Sequence, residues 1–70
     1  MTKLKEISDL VRIVEQKKRM GDYQTLAQAL GTTVDAARMR YYRKDIQAIE
    51  VLYQIIEQRE KFAQDFLNKQ

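Results

Sequence analysis

Apolar side chains recur at spacings of three and four along most of this chain. Leu4, Ile7, Val11 and Val14 mark one stripe, with Leu10 and Ile13 beside it, so residues 3–19 are expected to form an amphipathic first helix. Met20-Gly21 is expected to end it, because glycine readily takes the left-handed conformation that follows a helix. Asp22 then reads as the N-cap of a short second helix of about eight residues, whose Tyr23, Leu26, Ala27 and Leu30 share one face. Gly31 closes that helix, and Thr32 or Thr33 can cap a third that begins near Val34 and runs to Lys44. Asp45 supplies another capping carboxylate, and from there no breaker interrupts a fourth helix of about 25 residues to the C-terminus.

The chain has 70 residues, no proline and two glycines, Gly21 and Gly31, which are expected to mark the principal turns. The expected fold is therefore all-α, with four helices in a single domain over residues 1–70 and no repeat, low-complexity tract or linker. At 33% charged and 44% hydrophobic residues the composition is too apolar for disorder, and a mean hydropathy of -0.60 is too polar for a membrane span. The charged, amphipathic Met1–Leu10 segment has no apolar run of signal-peptide length, which makes a cytoplasmic location the expectation.

Chemistry is thinly supplied. There is no cysteine and no histidine, which removes disulfides, thiolate metal sites, the commonest metal ligand and the commonest general base. Ser8 is the only serine and has nothing to activate it, and Glu57/Glu60 read as solvated surface charges. No glycine-rich phosphate loop or zinc spacing occurs. The expectation is a protein that is not an enzyme, with no metal, cofactor or small-molecule ligand.

Charge is unevenly placed. Residues 1–44 carry ten Lys/Arg and five Asp/Glu, net +5, whereas residues 45–70 carry three and five, net -2. Residues 36–44 hold Arg38, Arg40, Arg43 and Lys44 with no acid, and Lys17-Lys18-Arg19 form a second basic run. Either run read alone is an ordinary solvated face. The second and third helices, however, are joined by a short turn containing glycine, and Leu26-Ala27-Gln28-Ala29-Leu30-Gly31-Thr32-Thr33 resembles the first helix and turn of bacterial and phage helix-turn-helix regulators. In that family a small residue stands where Ala27 is, at the helix crossing, and glycine stands where Gly31 is, at the turn. The resemblance covers residues 22–44 and implies that the third helix enters the major groove of double-stranded DNA.

Two registers are open for that helix. The family's usual spacing selects Thr32, Ala37 and Arg40 as inward positions, with Thr33 as cap and Tyr41 taking over the distal packing position from Arg40. Lengthening the turn by one residue selects Val34, Met39 and Tyr42 instead. In either case the residue types suit a duplex, since Lys and Arg meet phosphates and arginine grips guanine O6 and N7. The candidate DNA-binding residues are Thr33, Arg38, Arg40, Tyr42, Arg43 and Lys44. Asp35 runs against this unless it caps the helix or accepts from a cytosine amino group. One of Tyr41 and Tyr42 is expected to pack inward while the other offers its hydroxyl to a phosphate. Lys17, Lys18 and Arg19 are secondary backbone contacts, or simply favourable cations at a helix C-terminus.

The last helix carries two stripes: Ile46, Ile49, Leu52, Tyr53 and Ile56, and then Val51, Ile55, Phe62 and Phe66, with Ala63 and Leu67 beyond. One stripe can cover the other helices. The second, on a helix roughly 37 Å long, has no obvious partner within so small a domain, so residues 45–70 are expected to dimerise through Val51, Ile55, Phe62 and Phe66. A bent or frayed helix on a monomer is the alternative. The leading expectation is a dimeric, sequence-specific transcriptional regulator that represses by occupying an operator. The competing ones are a DNA-recognition subunit of a phage packaging complex and a helical protein-interaction module whose basic helix is incidental.

Overall fold

The computed structural model describes residues 4–68 as four helices: α1 (Leu4–Lys17), α2 (Met20–Leu30), α3 (Val34–Tyr42) and α4 (Ile46–Asn68). Residue 3, with which the expected first helix begins, and the last two residues of the fourth lie outside the described residues, as does the side chain of Leu4. The all-α, four-helix expectation holds among the described residues.

Helix α4 is the spine of the fold, because α1, α2 and α3 each pack on it and α2 also packs on α3. Ala48, Ile49, Leu52 and Ile56 are its buried face. Val14 of α1, Tyr23, Leu26 and Ala27 of α2, and Ala37 and Tyr41 of α3 close over that face. Truncating Leu52 to alanine at the centre of this cluster costs about 2–5 kcal/mol. Ile46 and Tyr53, expected in the same stripe, are not part of the sealed core: Ile46 is exposed on the first turn of α4 and Tyr53 is half-buried.

The junction of α1 and α2 differs from expectation. Helix α1 ends at Lys17 rather than residue 19, and Gly21 does not terminate it but lies inside α2, which starts at Met20 and has 11 residues rather than about eight. Asp22 is correspondingly not the N-cap. It stands in the first turn of α2, where its Oδ2 accepts from the Arg19 backbone N–H at 2.9 Å, and it is buried. The physical reason lies far along the chain. Arg59 of α4 donates from Nε and Nη2 to the two Asp22 oxygens, both at 3.1 Å, and from Nη2 to the Lys17 carbonyl at 3.0 Å. One guanidinium thus satisfies the C-terminus of α1 and the first turn of α2 together, a tie that outweighs the local preferences of glycine and aspartate.

From Lys61 to Leu67 every residue of α4 is exposed. This overhang explains the shape: extents of 41 × 28 × 20 Å and a radius of gyration of 12.7 Å, against about 11 Å for a compact domain of this length.

Candidate functional site

The junction between α2 and α3 is built from short-range chemistry. Gly31 takes φ 68°, the left-handed conformation that costs an L side chain energy. The turn then closes two orphan carbonyls of α2, with the Thr32 N–H on Ala27 O at 2.9 Å and the Gly31 N–H on Gln28 O at 3.3 Å. Thr33 caps α3, its Oγ1 accepting from the Ala36 N–H at 3.1 Å. Ala27 and Ala37 are both buried in the shared core cluster, where small side chains let two helices approach. Tyr41 fills the distal inward position. Met39 and Tyr42, the inward residues of the longer-turn register, are 49% and 53% exposed, so α3 presents the face set by the Thr33 cap.

That outward face runs from Thr33 through Arg38, Met39 and Tyr42 to Arg43, all exposed, whereas Lys44, also exposed, sits past the helix end beside Ile7, Ser8 and Val11 of α1. Asp35 has 93% of its side chain in solvent and touches the Arg38 guanidinium only at 3.8 Å. Thr33 already caps the helix, so Asp35 is not needed for that role. Arg38 also lies over the Tyr23 ring at 5.8 Å, which steadies its stem while leaving it accessible. Lys44 has φ 65°, unusual for a residue with a side chain. It completes the ending of α3, its N–H on Tyr41 O and the Asp45 N–H on Arg40 O, each at 3.0 Å.

Arg40 points elsewhere. Its Nε donates to Asp45 Oδ2 and its Nη2 to Gln47 Oε1, both at 2.9 Å. The Arg40 hydrogen bond, with that of the Ala48 N–H, holds the Asp45 carboxyl below its ordinary pKa. The same carboxylate caps α4 through its Oδ1, which accepts from the Ala48 N–H at 3.2 Å. Arg40 therefore fastens α3 to the start of α4 and is not part of the open basic face.

The second basic run is divided in the same manner. Lys17 pairs with Glu60 of α4 at 2.9 Å, and Lys18 with Glu15 at 2.7 Å. The Lys18 ammonium sits 5.3–5.8 Å from the centroids of Tyr23, Tyr41 and Tyr42. Burial works against that charge, but the Glu15 hydrogen bond and the Tyr23 side chain outweigh it and raise the Lys18 pKa above the usual lysine range. The Lys18 hydrogen bond in turn lowers the Glu15 carboxyl, which also accepts from the Tyr41 hydroxyl at 3.2 Å. Burial, reinforced by Glu15, raises the Tyr41 phenol. Arg19 remains exposed. Tyr42 continues this cluster outward, its ring 5.7 Å from that of Tyr41, so the outward face of α3 is braced by a packed aromatic floor. Sequence reading divides the two tyrosines but misses the floor, which needs Lys18 of the α1–α2 junction, Tyr23 of α2 and Tyr41 of α3 brought together.

On the far side, Val51 and Ile55 are half-buried and, with Thr25, Ala29, Gln54 and Gln58, line an open groove of about 390 Å³ between α2 and α4. Phe62 and Phe66 stand beyond it, their rings 6.5 Å apart and nearly parallel at 21°. Among the described residues no group of three or more acidic side chains could hold a metal ion, and no helix is long and apolar enough to cross a membrane. The chain matches no family model, no curated protein and no solved structure.

Proposed function

We propose that this chain binds double-stranded DNA by laying the outer face of α3 in the major groove, as a dimeric, cytoplasmic regulator that represses by occupying an operator. The observation that carries the reading is the division of α3. Ala37 and Tyr41 are sealed inward, while Thr33, Arg38, Met39, Tyr42 and Arg43 form an open face that also carries Asp35, with the exposed Lys44 past its end. In this reading α2, the Gly31 turn and α3 are a helix-turn-helix unit.

Each exposed side chain then has a task suited to its chemistry. The Thr33 hydroxyl still has its proton to donate to a phosphate after accepting from Ala36, and the first-turn N–H groups of α3 favour an anion there. Arg38 can grip guanine O6 and N7, and Met39 offers an apolar surface to a thymine methyl. Tyr42, Arg43 and Lys44 meet the phosphate backbone. Arg40 contributes by holding α3 against α4 rather than by contact, and of the second basic run Arg19 is exposed while Lys17 and Lys18 are paired with Glu60 and Glu15. Asp35 repels phosphate and accepts from a cytosine amino group, so it narrows the set of acceptable sites.

The test is a fluorescence-anisotropy titration at two salt concentrations against duplexes selected from a random library. Affinity should fall steeply with salt. Arg38→Ala should cost about 1–3 kcal/mol and relax one base position, and Arg43→Ala should weaken all duplexes alike and reduce the salt slope by about 1. If both arginine variants bind as well as the parent, α3 is not the reading element. A second reading, docking of α4 on a protein partner, is favoured by the exposed Phe62, Phe66 and Leu67. It predicts a loss of partner binding on Ile55→Asp or Phe62→Asp with no dependence on the arginines. A packaging subunit would differ from a repressor in forming an oligomer larger than a dimer.

A further inference from the structure

We infer that the α4 helices of two copies pair antiparallel about a two-fold axis passing between Gln58 and Arg59, each copy seating Phe62 in the other's groove between α2 and α4. The inference deepens the dimer in the preceding reading and does not depend on DNA.

The outward stripe of α4 is symmetric about that point. Val51 and Ile55 lie four residues apart on one side, and Phe62 and Phe66 four apart on the other. In an antiparallel pair centred there, Val51 meets Phe66 of the second copy and Ile55 meets its Phe62, twice over, which is the self-complementarity an isologous interface demands. The groove beside Val51 and Ile55 is walled on the α2 side by Thr25 and Ala29, small enough to admit an aromatic ring.

The area is adequate. Phe62 and Phe66 are 73% and 57% exposed, which leaves on the order of 260 Å² of ring surface per copy. Two reciprocal insertions that cover both rings completely, each against a similar area of wall, bury about 1,000 Å², the threshold a biological interface has to reach. The register also has a geometric consequence. The two α4 N-termini, to which α3 is fastened by the Arg40–Asp45 bond, come to lie roughly 37 Å apart along the pair, close to one turn of B-form DNA.

Cysteine pairs read the register directly, since the chain has no cysteine of its own. Val51→Cys and Phe66→Cys proteins are mixed and treated with a short bismaleimide. The mixed pair should link, and Val51→Cys alone should not, because its two thiols would stand roughly 22 Å apart along the axis. Linking of Val51→Cys to itself would show a parallel pair and overturn the inference, as would a monomeric parent at high concentration in sedimentation equilibrium. Phe62→Asp should weaken the dimer about 100-fold or more at unchanged helix content; an unaltered dimer constant would equally overturn it. Neither measurement contains DNA, so a failure here and a failure of the DNA reading are distinguishable.

Discussion

Replacing Arg59 by methionine tests the tie that sets the α1–α2 junction against α4. The Asp22 carboxylate, 5% exposed, accepts three hydrogen bonds, two of them from the Arg59 guanidinium at 3.1 Å and one from the Arg19 N–H at 2.9 Å. Methionine keeps most of the stem and removes both charged donors, along with the bond to the Lys17 carbonyl. Stranding a buried charge costs about 3–5 kcal/mol. The Arg59 side chain is 30% exposed, and water reaching that side reduces the expected loss to about 2–3 kcal/mol. With a urea m-value of about 1 kcal/mol/M for a small domain, the unfolding midpoint should fall by about 2–3 M at unchanged slope. The double variant Asp22→Leu/Arg59→Met should recover much of the loss, because two apolar side chains leave no orphaned charge. Arg59→Lys should recover little, since an ammonium cannot serve both Asp22 oxygens and the Lys17 carbonyl in one plane. Four urea curves complete the cycle, and a coupling below about 0.5 kcal/mol, the scale of an exposed pair, would refute the argument that this bond overrides the local helix signals.

The two glycines should respond in opposite senses to alanine. At Gly31, φ 68° makes the change destabilising by about 1–2 kcal/mol, whereas Gly21 is helical with nothing within 4 Å of an added Cβ and should gain about 0.5 kcal/mol, both read by urea unfolding. Lys44→Gly separates stability from binding: relief of the left-handed lysine should raise Tm by several degrees, while loss of its charge should lower the salt slope of duplex binding by about 1. Glu15 should contribute to acid sensitivity. Its folded pKa is lowered, chiefly by the Lys18 hydrogen bond, so its stabilisation is complete above the ordinary glutamate value and is lost as pH falls through the folded one. Glu15→Gln should therefore flatten the acid limb of a stability–pH curve, and an unchanged limb would show that the Lys18 contact carries no linkage.

The parts legible in the sequence are those whose causes are local. Four helices in order follow from apolar spacing in a chain almost without breakers, and the α2–α3 junction follows from Gly31, Thr33 and two alanines lying within a dozen residues of one another. The α1–α2 junction departs from the local pattern for the complementary reason. Gly21 and Asp22 carry strong local signals, but the group that decides the outcome, Arg59, is 37 residues away from Asp22. A guanidinium on an amphipathic helix gives no sign in the sequence of which carboxylate it will find. Periodicity alone puts Ile46 in the core stripe, but periodicity does not say where the covering helices stop, and Ile46 is exposed.

The same distinction governs the charge. Counting residues gives the first 44 positions a net of +5, and an acid-free run from Ala36 to Lys44 reads as one continuous basic face. In the fold, cations differ by whether a carboxylate has been placed against them. Arg40 is committed to Asp45, the first residue after the run, because that aspartate caps α4 and is held within reach. Lys17 and Lys18 are committed to Glu60 and Glu15. Arg38, whose contact with Asp35 is long at 3.8 Å, and Arg43 keep their solvent on α3 and at its C-cap, and Lys44 stays exposed past the helix end, beside Ile7, Ser8 and Val11 of α1. The acid-poor run is therefore filtered by helix geometry. Its junctional member is neutralised by the fold, and the charge left over stays in solvent, where counterion release on meeting a polyanion is available to it.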